Sequence, residues 1–268
     1  MLSRAAFVLV MLVFAAIPPA AAEGATVSVL TWNVQGGTAG DGREPDPTKL
    51  AQILAETNPD VVGLQEVCEE SVTSPEFEEV MLAFGYTRMS HALGTTVDVR
   101  HHDNDREFEC DFGSALFVRG ATGRTYGPRE LFPRAATGRR EKRKVTCLEA
   151  KIGRRFWFCN THVAPASAED ARGRPITQRQ IESLAEKMRR RRGAVVLVGD
   201  LNRKPQRDSP LAEQFDEIDP RNRPTHGNRK LDYVLFTPRA FRRGGLRFLE
   251  PDIIGTDHRG ILATLEVK

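Results

Sequence analysis

Four short signatures offer polar side chains of related chemistry: Thr31-Trp32-Asn33, Gln65-Glu66, Gly199-Asp200-Leu201-Asn202 and Thr256-Asp257-His258. Asn160-Thr161-His162 falls between the second and third, and Leu231-Asp232-Tyr233 precedes the last. Together they supply carboxylates, amides and imidazoles, the set that hydrolysis of a phosphate ester uses at neutral pH. Such a reaction must neutralise charge on the phosphoryl oxygens, activate a water and stabilise the leaving oxygen. A hard divalent cation with oxygen ligands meets the first need. Glu66 is the leading candidate ligand, because a carboxylate directly after a buried strand is costly unless it is paired or metal-bound.

The elements that must hold these groups are legible from apolar runs. Val27-Ser28-Val29-Leu30 leads into Asn33, and Val61-Val62-Gly63-Leu64 leads into Glu66. Phe156-Trp157-Phe158-Cys159 leads into His162, and Val195-Val196-Leu197-Val198 into Asp200. Such runs read as buried strands, and polar residues at strand ends collect on one rim of a sheet, where open sheets bind ligands. A further strand is predicted over residues 231–236. Helices are predicted from Asp46-Pro47-Thr48 to Asn58-Pro59, from Ser74-Pro75 to Gly85 with Phe77, Val80, Met81 and Phe84 inward, and over residues 175–191 with Ile181, Leu184 and Met188 inward. The polar stretch 98–109, with His101 and His102, reads as a surface loop, and His91 and His226 read as ordinary histidines without a role.

At these residues the chain resembles the endonuclease/exonuclease/phosphatase superfamily, which includes deoxyribonuclease I. The match runs from about Val27 to Val267 with the motifs in the family's order. Gly-Asp-Leu-Asn followed by a late Asp-His is its most specific part. The resemblance implies a four-layer α/β sandwich, two packed mixed β-sheets flanked by helices, and a divalent metal: Mg²⁺, with Mn²⁺ or Ca²⁺ as alternatives. It implies that Asn33 supports the metal with Glu66, that Asp257 reaches the same region, and that Asp232 hydrogen-bonds His258. By the same resemblance Asp200 orients the attacking water or holds a second metal, and Asn202 donates to a phosphoryl oxygen. Whether Asp200 or His258 is the base stays open. His162 narrows the subfamily, being shared with deoxyribonuclease I, sphingomyelinases and 5-phosphatases. The chain departs from the pattern at Ser114, where many relatives carry Asn after Phe-Gly, and it lacks the 5-phosphatase signature around Asp232.

Residues 1–22 read as a secretory signal peptide, with Arg4 at its charged start, an apolar stretch, and Ala20-Ala21-Ala22 as the cleavage site. Residues 23–268 then form one exported domain. Loss of Arg4 takes the formal charge from +3 to +2, so the distribution of charge matters more than its sum. Arg189 to Arg192 suit the end of a helix. Arg139, Arg140, Lys142, Arg143 and Lys144 read either as a solvated loop or as a surface for a phosphate backbone. Nucleic acid, DNA first, is the expected partner, with a phospholipid or small phosphodiester as the alternative, and the chain is expected to act as a monomer. The four cysteines of an exported protein point to disulfides. Cys147 and Cys159 sit symmetrically about Gly153, the turn of a hairpin between residues 145–152 and 155–160, and would face each other. That leaves Cys68 with Cys110.

Overall fold

Side chains alternate across each strand, so every apolar run must bury two faces at once. In β1 (Thr26–Asn33), Val27 and Val29 enter one core while Leu30 and Trp32 enter another. The computed structural model describes residues 24–34, 47–68, 75–93, 112–119, 124–135, 142–203 and 210–268. Residues 1–22, expected to be a leader, the stretch 98–109, Arg139, Arg140 and Cys110 lie outside the described residues, and so does the side chain of Cys68, so the expected pairing of Cys68 with Cys110 falls outside them too.

Two six-stranded sheets form the body. The first is built from β1, β2 (Val61–Cys68), β3 (Tyr86–Leu93), β4 (Phe112–Arg119), β11 (Phe241–Leu249) and β12 (Gly260–Val267), in the order β11-β12-β1-β2-β4-β3. The second comprises β5 (Thr125–Glu130), β6 (Lys144–Ile152), β7 (Arg154–His162), β8 (Ala194–Asp200), β9 (Asp216–Glu217) and β10 (Asp232–Phe236), in the order β5-β6-β7-β8-β10-β9. Both are mixed: β1 runs parallel to β2 and antiparallel to β12, and β8 runs parallel to β7 and antiparallel to β10. Their inner faces meet in one core, where Val29, Val61 and Ile261 of the first sheet join Phe158, Val196 and Val234 of the second.

Helices cover the outer faces. Helix α1 (Pro47–Thr57) and α2 (Pro75–Ala83) place Leu50, Leu54, Phe77 and Met81 against Leu30, Trp32 and Leu64. Helix α3 (Thr177–Arg189) and the short α4 (Pro210–Gln214) place Ile181, Leu184, Met188 and Leu211 against Trp157, Val195 and Tyr233. The four-layer α/β sandwich is therefore the observed architecture. One predicted core position is corrected: Phe84 falls beyond the end of α2 and is exposed, because the helix stops one residue earlier.

The hairpin β6–β7 has the expected register, with Cys147 opposite Cys159 and the two joined by a disulfide. The sheets approach closely beneath the rim. A Cβ on Gly63 would lie 2.5 Å from Val198 Cγ2 and 3.1 Å from Asn160 Cγ, so only glycine fits there. Through this gap Asn160 reaches from the second sheet to the first, its Nδ2 donating to the carbonyls of Leu64 and Ala115 at 2.8 Å each. Gln65 Nε2 donates in return to Asn160 Oδ1 at 2.7 Å and to Thr31 Oγ1 at 3.1 Å. Buried amides without partners are costly, so this network fixes the register of one sheet on the other directly under the strand ends.

Candidate active site

Backbone pairing sets the site before any side chain is considered. Asp200 is the register partner of His162 on the parallel β7 and of Asp232 on the antiparallel β10. The last residues of two strands and the first of a third thus stand in one row. Gly199 makes that row possible: its φ is +142°, and a Cβ there would meet the Thr161 carbonyl oxygen at 1.9 Å. The first sheet faces this row with Asn33, paired with Gln65, and with Glu66 beside it. Glu66 occupies a bulge, since the β2–β4 register shifts between Gln65 and Val67, and its φ is +55°. A bulge re-aims one side chain without disturbing its neighbours, and here it turns Glu66 into the site.

The polar atoms converge. Asn33 Nδ2 donates to Glu66 Oε1 and to Asp200 Oδ2, both at 3.1 Å. His162 Nε2 lies 3.5 Å from Asp200 Oδ2 and 3.7 Å from Glu66 Oε1. His258 Nε2 lies 3.9 Å from the same Asp200 oxygen. Asn202, at φ +52°, folds back so that its N–H donates to Asp200 Oδ1 at 2.7 Å. Its Nδ2 donates to the Val163 carbonyl at 2.9 Å and to His162 Nε2 at 3.1 Å. That last contact makes His162 Nε2 an acceptor. The segment carrying Asp257 and His258 is tied down through its backbone: Trp32 Nε1 donates to the His258 carbonyl at 2.8 Å, and Thr256 Oγ1 donates to the Asn33 carbonyl at 2.8 Å.

Electrostatics separate the histidines. Burial, with the charges of Arg143 and His258, holds His162 well below its ordinary value, so its ring is neutral. Burial also opposes charge on His258, but Asp232 outweighs it. His258 Nδ1 donates to Asp232 Oδ2 at 2.8 Å, and that bond and its charge, helped by Asp200 and Asp257, push His258 up to about 9. Asp200 is pushed up to about 8 by burial first and by Asp232 second, against the favourable charge of His258 and the Asn202 N–H. Asp232 Oδ1 is buried and has no hydrogen-bond partner among the described residues.

This donor set fits a hard divalent cation. Glu66 and Asp200 share one amide as donor, and the buried Asp200 resists ionisation where carboxylates crowd together. Asn33 and Glu66 could hold such an ion. Asp257, expected in that ligand set, stands 2.9 Å from His226 Nε2 and 3.6 Å from His258 Nε2. Arg143 lies near enough to His162 to lower its basicity, and its carbonyl accepts from Leu131 at 2.7 Å. Ser114, the departure from the family pattern, is buried opposite Gln65 on β4.

His226 is the site residue that sequence reasoning missed. Its ring centroid lies 4.6 Å from that of His258, and the two residues form a backbone bridge. The signal for it was the turn His226-Gly227-Asn228-Arg229, which folds the segment before Asp232 back upon Asp257-His258.

Comparisons with known proteins agree with this architecture. The profile of the Endonuclease/Exonuclease/phosphatase family matches residues 30–258. A search of curated proteins returned no match. Among solved structures, an endonuclease/exonuclease/phosphatase from Beutenbergia cavernae superposes with a TM-score of 0.66 at 22% identity, covering 91% of this chain and 72% of that one. The human Nocturnin catalytic domain with bound sulfate superposes with a TM-score of 0.65 at 14% identity, over 91% and 94% of the two chains. D. rerio TDP2 complexed with a single-strand DNA product gives 0.62 at 16% identity, over 90% and 99%. Identities this low speak for a shared fold alone.

Proposed function

We propose that this chain, which belongs to the endonuclease/exonuclease/phosphatase family, is an exported, divalent-metal-dependent phosphodiesterase that cleaves nucleic acid, DNA first. The observation that carries the reading is one carboxylate oxygen, Asp200 Oδ2, set 3.5 Å from a neutral imidazole and 3.9 Å from a charged one, with the Asn33 amide at 3.1 Å. A cation held by Asn33 and Glu66, Mg²⁺ by the family resemblance, would neutralise the phosphoryl oxygens and favour the ionised form of Asp200.

The remaining roles follow from the proton states. Asp200 is the base: once ionised, its carboxylate, set between the two imidazoles, takes a proton from the attacking water. His258 arrives protonated on both nitrogens, one N–H spent on Asp232, and so donates its Nε2–H to a phosphoryl or leaving oxygen. His162 and Asn202 form the opposite wall, where the amide holds the ring in place and faces the substrate with it. Support for nucleic acid comes from Arg143 beside His162, from its neighbours Arg139 and Arg140 in the sequence, and from the DNA product in the TDP2 complex. Export rests on the leader at residues 1–22.

The test is incubation of residues 23–268 with supercoiled plasmid and Mg²⁺, with EDTA and His258→Ala as controls. Nicking abolished by both controls is expected. Intact plasmid alongside metal-dependent hydrolysis of an aryl phosphodiester would transfer the same chemistry to lipids or small phosphates. No hydrolysis of either substrate would overturn the reading.

A further inference from the structure

Asp257 poses a problem for the chemistry just described. It is half exposed, adjoins His258 in sequence, and sits 3.6 Å from His258 Nε2, the nitrogen that must face the substrate. A carboxylate that closed this gap by less than 1 Å would turn the present ion pair into a charge-assisted hydrogen bond and take up the N–H that the phosphoryl oxygen needs. Something must hold it back.

The hydrogen bonds around His226 identify the restraint. Arg229 Nη2 lies 3.2 Å from His226 Nδ1. A guanidinium can only donate, so Nδ1 accepts and the ring proton resides on Nε2. From Nε2 the ring donates to Asp257 Oδ2 at 2.9 Å. The turn that carries both residues is closed by reciprocal backbone bonds, His226 N–H to the Arg229 carbonyl at 3.0 Å and Arg229 N–H to the His226 carbonyl at 2.9 Å. It is also stitched to the segment bearing His258 through Arg259 N–H, which donates to the Thr225 carbonyl at 2.7 Å.

We infer that His226 is a positioning residue that, with its tautomer set by Arg229, holds the Asp257 carboxylate away from His258 and so keeps the His258 Nε2–H available to the substrate. The role rests on the phosphodiesterase reading; the tautomer stands without it.

The same three side chains, His226, Asp257 and His258, could converge on a metal ion. The chemistry of the cluster argues otherwise. An ion would need the Nε2 lone pair of His226, which moves the proton to Nδ1 and sets that N–H against the Arg229 donor. It would also add positive charge beside a guanidinium and beside the charged His258.

Glutamine reproduces both contacts of the proposed tautomer, since its amide nitrogen can donate to Asp257 and its oxygen can accept from Arg229. Leucine reproduces neither. With Mg²⁺ and an aryl phosphodiester, His226→Leu is expected to lower kcat about 10- to 100-fold, with KM changed less than about 3-fold. His226→Gln is expected to regain most of that loss. Equal activities of the two variants, whether both high or both low, would overturn the inference. If the leucine variant does not fold, the wild-type protein decides: long-range ¹H–¹⁵N spectra of the metal-free chain are expected to place the His226 proton on Nε2. A proton on Nδ1, or Mn²⁺ broadening His226 ahead of His162, would contradict the assignment. An inactive wild type would defeat the phosphodiesterase reading, while the spectra would still report the tautomer.

Discussion

His162 and His258 approach the same oxygen of Asp200, at 3.5 and 3.9 Å, and both are buried, yet they hold protons with opposite strength. Desolvation disfavours the imidazolium in each. The difference lies in the partner. Asp232 stands against His258 Nδ1 and supplies a full negative charge at 2.8 Å. Asn202 stands against His162 Nε2 and supplies a neutral N–H at 3.1 Å, with Arg143 adding positive charge nearby. Two residues of one type become an acceptor wall and a donor wall because burial, Arg143 and His258 all work against charge on His162, while Asp232 offsets burial at His258. The working unit is Asp200 set between them, and the comparison can be broken at each of its members.

The largest effect is expected at the shared carboxylate. Asp200→Asn removes the base while keeping the shape, and kcat on an aryl phosphodiester is expected to fall about 10³- to 10⁴-fold, with far-UV circular dichroism unchanged. Next is the partner that makes the two walls differ. Asp232→Asn exchanges the carboxylate at His258 Nδ1 for a neutral amide. The His258 pKa is expected to drop from about 9, and kcat to fall about 10²-fold as its role as acid is weakened. A variant with unchanged activity at neutral pH would show that the His258 charge is dispensable.

Stability offers a third way in. His258 holds its proton more tightly folded than unfolded, so its contribution is complete below about 6.5 and lost as pH rises through about 9. Asp200 also binds its proton more tightly when folded, and ionising it in the buried site costs stability progressively between about 3.8 and about 8. Both push the same way. In EDTA, Tm is expected to decline between pH 6 and 9 on the order of several degrees, and Mg²⁺ is expected to reduce that slope by stabilising the ionised carboxylates. A flat or rising Tm across this window would contradict the assigned proton states. The smallest effect is expected from Arg143→Gln. Removing a positive charge near His162 relieves one of the causes of its low pKa, which should rise by less than about one unit, with activity on a small aryl phosphodiester changed less than about 3-fold.

Much of this was legible in the sequence, and the limits have physical causes. Asn33, His162 and Asp200 each close a buried strand and Glu66 follows an apolar run within one, so apolar runs pointed to them directly. The strands β1, β2, β7 and β8 announced themselves for the same reason. The edge strands β5 and β11 did not, because most of their side chains face solvent and leave no apolar run to read. The bulge that aims Glu66 depends on pairing with β4, a partner about fifty residues away, and no local pattern encodes it. The opposite proton states of the histidines were hidden likewise. They arise from contacts between residues 40 positions apart for His162 with Asn202 and 26 apart for His258 with Asp232. His226 looked ordinary because its neighbours in sequence are a turn; its meaning comes from Asp257, 31 positions away.

The most direct test of the central claim is a histidine ¹⁵N titration of the metal-free protein by NMR, with His162→Gln and His258→Gln used to assign the signals. Two imidazoles beside one carboxylate should then titrate far apart, His162 remaining neutral throughout the range above about pH 6.5 and His258 losing its proton only near pH 9. Coincident titration of the two rings near 6.5 would contradict the account, because it would mean that Asp232 and Asn202 do not divide the site into an acceptor wall and a donor wall.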